Sequence, residues 1–272
     1  MASRVHGALS FLAAVVITIT TIIMGLLATG CQGGNVYKLL RKSASGAGLE
    51  LCEEGLEFLR SIKDPVALVT IVGPTRGGKS LTLNQITGDR NGFIVSSGLT
   101  HKTNGVDVWG EPIREKSANR SSIVLLDTEG LGHSVKNYDR AVLLFTILAS
   151  SKVILNLNHN INNQDIDNLY TVAHLVDNFV KTSNESVQFP SLMWLVQKYT
   201  LSTDGIYKPL RTVLDQYLGE IPNPDNDPQI SNRNYTVKTI KKCFKMQSAL
   251  FVPPATKNVE YFSVNEIKPY QV

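Results

Sequence analysis

The chain has 272 residues, 43% apolar and 7% aromatic, with 27 Lys and Arg against 23 Asp and Glu and a net charge of +4. That length suffices for one large α/β domain with an ample core. The mild positive charge is spread out, with no basic stripe carrying interleaved aromatics, which argues against nucleic acid as a partner. Cys31, Cys52 and Cys243 are widely spaced, show no metal-ligand pattern and are odd in number, which argues against a disulfide framework.

From Ala8 to Leu27 the chain carries no charge and no polar residues at helical spacing, over about the length needed to cross a bilayer. Residues 1–31 therefore read as a signal anchor or a signal peptide. Arg4 ahead and the small residues Ala28-Thr29-Gly30 behind suit a cleaved signal. The stretch exceeds the usual signal core, which favours an uncleaved anchor. A lipid on Cys31 is a third reading, and Ala28 suits it poorly. Lys38, Arg41 and Lys42 follow the segment, and the positive-inside rule then places the long C-terminal part in the cytosol, at a membrane.

Residues 32–48 read as a polar, Gly/Ser-containing linker. Leu49 to Ile62 reads as an amphipathic helix, with Leu51, Leu56, Leu59 and Ile62 on one face and Asp64-Pro65 ending it. Val66 to Val72 is an apolar, β-branched run, as in a strand buried on both faces. Gly73-Pro74-Thr75-Arg76-Gly77-Gly78-Lys79-Ser80 follows and matches G-x-x-x-x-G-K-[ST], the phosphate-binding loop. Its glycines let the backbone curl until several N–H groups face one phosphate chain. The helix after it, Leu81 to Thr87 with Gly88 as its stop, adds a positive dipole end. Lys79 is placed to reach the β- and γ-phosphates, and Ser80 to put its hydroxyl on Mg²⁺.

Ser96 to Gly105 is polar and Gly-bearing, suited to folding over a triphosphate when the metal is present, with Thr103 as the candidate second hydroxyl on it. Val106 to Ile113 reads as an added antiparallel strand. Ile123 to Leu126 is the next apolar strand and runs into Asp127-Thr128-Glu129-Gly130. An Asp at that strand end suits a metal-holding carboxylate, and the Gly130 N–H suits the γ-phosphate. Further strands read at Val153–Leu157, Leu192–Val196 and Leu250–Val252. Helices read at Arg140–Leu148, Asp165–Val180, Leu210–Leu218 and Val237–Phe244, and Asn223 to Asn234 reads as a loop. Alternating strands and helices predict an α/β fold of the P-loop NTPase type. Its sheet is mostly parallel with helices on both faces, preceded by the N-terminal hydrophobic helix.

These residues in order resemble the large GTPase domain of the guanylate-binding protein and atlastin family, dynamin-related in mechanism. The resemblance runs from about Leu49 to Pro254. It rests on Leu56 to Ile62, Arg76 to Ser80 with Asn84, Thr103 with Gly105 and Trp109, Leu125 to Gly132, and Asn156. It implies a GTPase domain over 49–272 that hydrolyses GTP to GDP with Mg²⁺ and is activated by forming a homodimer through the nucleotide face. It implies that Arg76 acts as an internal arginine finger, that Thr103 joins Ser80 and Asp127 at the metal, and that Glu129 helps place water or reorient the first switch. The nucleotide-binding set is then Gly73, Thr75, Arg76, Gly77, Gly78, Lys79, Ser80, Leu81 and Gly130, with Gln197 and Lys198 at the base. Val252-Pro253-Pro254 matches the loop that caps the base.

Three departures stand out. Gln197-Lys198 replaces the Arg-Asp with which the family selects guanine; a lysine has no acceptor for the base's N1–H and amine. ATP or loose base selection therefore stays open beside GTP. His101 and Lys102 fall where some relatives carry a Ser-His pair, so a nucleotide-dependent binding module with little hydrolysis also stays open. Relatives continue into a helical middle segment and usually attach to membranes C-terminally. Here no long helical repeat follows the last strand before Val272, which reads either as a fragment or as a member lacking that lever. A kinase is the remaining class, and no acceptor-substrate site supports it.

Overall fold

A computed structural model describes residues 35–43, 48–89, 92–95, 105–114, 121–131, 136–159, 161–183, 188–198 and 210–252. The hydrophobic stretch 8–27, Cys31, the residues His101, Lys102 and Thr103 expected in a switch, and Pro253-Pro254 lie outside the described residues. Among those described, no helix is long and apolar enough to cross a membrane.

The strands are β1 (Val36–Lys42), β2 (Leu49–Leu51), β3 (Val66–Val72), β4 (Val106–Trp109), β5 (Ile113–Arg114), β6 (Ser122–Thr128), β7 (Lys152–Asn158), β8 (Ser191–Gln197) and β9 (Gln247–Val252). The helices are α1 (Glu53–Ser61), α2 (Lys79–Thr87), α3 (Lys136–Ala149), α4 (Asn163–Ser183), α5 (Leu210–Leu218) and α6 (Pro228–Cys243). All strands join one sheet in the order β2-β1-β4-β6-β3-β7-β8-β9, with β5 beside β6. From β6 through β3, β7 and β8 to β9 the pairing is parallel. The β2-β1-β4 wing and β5 are antiparallel.

Side chains alternate between the two faces of the buried strands, as a pleated sheet requires. Ile71, Leu125, Ile154 and Leu195 pack on one face with Leu83 of α2, Phe93 and Trp109. Their neighbours Val72, Val153, Leu155, Trp194 and Val196 pack on the other with α3, α4 and α6. Under the antiparallel wing, Leu39, Leu40, Val106, Val124 and Leu126 meet Tyr138 and Val142 of α3, with Leu56 and Leu59 of α1 alongside. The predicted α/β sheet with helices on both faces is what the chain forms.

Several element boundaries differ from the sequence reading. The segment read as a linker contains β1, which pairs with both β2 and β4. Its apolar Leu39 and Leu40 are buried, while Lys38 forms an ion pair with Asp107 of β4. Burial pushes the Asp107 carboxyl above its usual range, and Lys38 opposes that. The helix read from Leu49 starts at Glu53 instead, because Leu49–Leu51 completes a hairpin with β1. Val106–Ile113 divides into β4 and β5. More than half of the loop read at Asn223–Asn234 is helix, from Pro228 on. Asp227 caps α6 by accepting from the Gln229 and Ile230 N–H groups, and Pro228 supplies a first helical residue that needs no N–H partner.

Helix α1 lies close on β1, and Gly55 makes that contact. A Cβ there would sit 2.6 Å from the Lys38 carbonyl oxygen. Alanine in a helix interior normally stabilises by about 1 kcal/mol relative to glycine. Here the sign should reverse: Gly55→Ala is expected to destabilise by about 1–3 kcal/mol through overpacking, read as a lower denaturation midpoint with unchanged slope.

Candidate functional site

The site begins where β3 leaves the middle of the parallel sheet. Gly73, at φ +154°, turns the chain so close to β7 that a Cβ would lie 2.0 Å from the Asn156 carbonyl oxygen. Only glycine fits that approach. The loop then runs through Arg76, exposed and held at φ +60°, to Gly78, from which α2 starts. Leu81 is exposed on the first turn of α2, and Gly88, at φ +75°, ends the helix as the sequence suggested.

Lys79 is only 6% exposed, and its ammonium donates to the Pro74 carbonyl at 3.2 Å, inside the loop's curl. Burial lowers its pKa from the ordinary lysine value, while the carboxylates of Asp127 and Glu129 pull the other way. Ser80 donates its hydroxyl to Asp127 Oδ2 at 2.5 Å. Asp127 is fully buried at the end of β6, on the sheet face that α2 covers. The hydroxyl and the carboxylate predicted to share a metal are thus brought together.

The strand end after Asp127 is stitched to the loop. Thr75 N–H donates to Leu131 O, and Leu131 N–H donates to Gly73 O at 2.9 Å. Gly130 lies flat on Thr75; a Cβ there would be 2.3 Å from Thr75 Cα. Glu129 faces Gly105, the last residue of the predicted switch segment. Its backbone N–H donates to Gly105 O at 2.8 Å, and its Oε2 accepts from Gly105 N–H at 3.1 Å. The same Oε2 accepts from the hydroxyl of Tyr138, in the first turn of α3, at 2.9 Å. Burial, then the Glu129 carboxylate, push the Tyr138 phenol well above its usual pKa. Lys42 stands over the Tyr138 ring, 5.1 Å from its centroid.

On the opposite flank Asn156, fully buried, donates from Nδ2 to Gly77 O at 2.7 Å. Gln197 donates from Nε2 to Asn156 Oδ1 at 2.6 Å and to Thr82 Oγ1 at 2.7 Å. Thr82 in turn donates to Gly78 O at 2.9 Å. Lys198 follows, exposed, at φ +54°. Thr82 and Tyr138 had no role in the sequence reading, and Asn156 entered it only as a position of the resemblance, with no function attached. Asn156 carried a signal, an amide inside an otherwise apolar strand, which buried strands tolerate only with a partner. Nothing in the pattern around Tyr138 pointed to Glu129.

Tyr138→Phe removes one partner of Glu129 and keeps the ring. It is expected to cost about 1 kcal/mol and to speed amide exchange at Gly105, measured by denaturant melts and hydrogen exchange.

With that geometry in view, the family model described as guanylate-binding protein, N-terminal domain, matches residues 47–272. Human guanylate-binding protein 2 is 32% identical over 79% of this chain and 39% of its own length. Human guanylate-binding protein 4 is 30% identical over 79% of this chain and 36% of its own. The chain therefore spans less than two fifths of the length of these curated relatives. A crystal structure of Toc33 from Arabidopsis thaliana, a dimerisation-deficient mutant, overlays at a TM-score of 0.34 and 12% identity, covering 78% of this chain and 80% of that one, too loosely to bear on the site. From the match along 47–272, the chain belongs to the guanylate-binding protein family.

Proposed function

We propose that the chain binds GTP with Mg²⁺ at the loop 73–80 and hydrolyses it to GDP, and that pairing of two copies through the nucleotide face activates it. The observation that carries this reading is the Ser80–Asp127 contact at the foot of a glycine-rich loop that already encloses the Lys79 ammonium.

The donor set suits a small hard cation. Ser80 and Asp127 offer oxygen, and among the described residues no group of three or more His, Cys, Asp or Glu could hold a metal. Two protein oxygens, with phosphates and water supplying the rest, is the pattern Mg²⁺ favours. Bound there, the ion supplies charge neutralisation on the β- and γ-phosphates. In the reaction a water oxygen bonds to the γ-phosphorus while the bond to the β–γ bridging oxygen breaks, and GDP leaves. Lys79 binds and orients the phosphates. Arg76, exposed at the loop tip, neutralises charge on the transferring group once a partner domain covers it. Gly130 offers its N–H to the γ-phosphate. Thr103 is proposed as the second hydroxyl at the metal. Glu129 holds the end of the segment that carries Thr103. The stretch 8–27 is proposed to anchor the chain at a membrane with this domain in the cytosol.

Base selection has a second reading, which one observation favours. The Gln197 amide nitrogen is engaged with Asn156 and Thr82, and the exposed Lys198 carries donors only. Neither supplies the paired acceptors that guanine's N1–H and amine need, so purine selection is loose and ATP competes with GTP.

Two measurements test these readings. Mg²⁺-dependent GTP turnover per molecule should rise with protein concentration, and Arg76→Ala should lower it by about 10³-fold or more while binding persists. Flat specific activity, unchanged in the variant, would instead make the chain a binding module. In competition assays ATP should displace GTP within about tenfold of GTP itself, because only about one hydrogen bond separates the two bases here.

A further inference from the structure

Gln197 stands at the carboxyl end of β8, where a P-loop fold reads its nucleobase. Its side chain turns toward the loop 73–80 and the start of α2. Both amide hydrogens are used, one on Asn156 Oδ1 at 2.6 Å and one on Thr82 Oγ1 at 2.7 Å. Each acceptor holds a different point of the phosphate loop. Asn156 donates to Gly77 O at 2.7 Å, and Thr82 donates to Gly78 O at 2.9 Å. The Gln197 carbonyl end lies against Gly78 itself, where a Cβ would meet Oε1 at 3.0 Å. Two carbonyls of the loop are therefore fixed through one amide. Fixing those carbonyls orients the peptide planes on which the Gly78 and Lys79 N–H groups sit.

We infer that Gln197 is a positioning residue for the phosphate-gripping loop and not a reader of the base. This rests on the phosphate-binding reading above. Asn156 alone would leave its Oδ1 without the Gln197 donor, and a buried amide oxygen lacking a partner favours rotation of the whole side chain away from Gly77. Thr82 alone would lose its only side-chain donor from the β8 end. The effect of Gln197 on a ligand should therefore follow the phosphates that the loop cradles and ignore the base. Inosine nucleotides lack guanine's exocyclic amine, and GMP lacks the β-phosphate, so the two separate the roles.

The test is calorimetric titration of the full chain with GTP, ITP, GDP and GMP in Mg²⁺, for the wild type, Gln197→Met and Thr82→Val. Gln197→Met keeps the length of the side chain and removes both donors. It should weaken GTP, ITP and GDP by the same factor, about tenfold, and leave GMP within about twofold. Thr82→Val should give a smaller loss of the same kind. The double variant should be no worse than Gln197→Met, since both act through one network. Thermal melts of the nucleotide-free proteins confirm that folded protein is being titrated, and Thr82→Val carries the test if Gln197→Met does not fold. A changed GTP-to-ITP ratio makes Gln197 a base reader and overturns the inference. Unaltered affinities, or an equal loss for GMP, overturn it too. Wild-type protein that binds none of the four removes the phosphate-binding reading, and this inference with it.

Discussion

The backbone of the phosphate loop lies within contact of β7, and the rest of the site depends on that closeness. Gly73 and Gly77 both meet Asn156, one at its carbonyl oxygen and one at its amide. A side chain at Gly73 would force the loop off the strand and open its curl. The burial of Lys79, the Ser80–Asp127 contact and the ladder from Thr75 to Leu131 follow from the loop's place against the sheet. The shape of the loop is thus a property of three adjacent strands, with the loop as its visible part.

On the antiparallel side the same logic reaches Gly105. Gly105 directly precedes β4, and Glu129, just past the end of β6, clasps it through both backbone and carboxylate. Tyr138 brings the start of α3 into the same clasp. One carboxylate thereby joins the residue before β4 to the first turn of α3. The β1 strand completes the wing, and its Lys38–Asp107 pair lies in the row that leads across β4 to Asp127.

Much of this was legible in the residues. Val66–Val72 ahead of the glycine-rich loop, and Ile123–Leu126 ahead of Asp127, announced buried strands ending at a ligand, because apolar runs and strand-end carboxylates are local signals. The position of β1 was not legible. Its polar flanks and the glycines after it look like a linker, and only the pairing with β4, far along the chain, makes it a strand. The start of α6 was missed for a different reason. Asp227-Pro228 is a good helix start, but the surrounding Asn and Pro residues speak equally for a turn. At the site, Lys79, Ser80 and Asp127 were readable by spacing. The turn of Gln197 toward the loop was not, since whether an amide meets a base or a neighbouring strand is decided by the fold.

The hydrogen bonds that shape the loop join residues far apart along the chain, 79 positions for Asn156 to Gly77 and 115 for Gln197 to Thr82. Contacts of such separation form late and slowly, because long loops must close before they form. During synthesis the motif emerges well before β7 and β8 exist to brace it. The braced form of the loop therefore marks the completion of folding, and a nascent chain ending before β8 carries the signature without the brace.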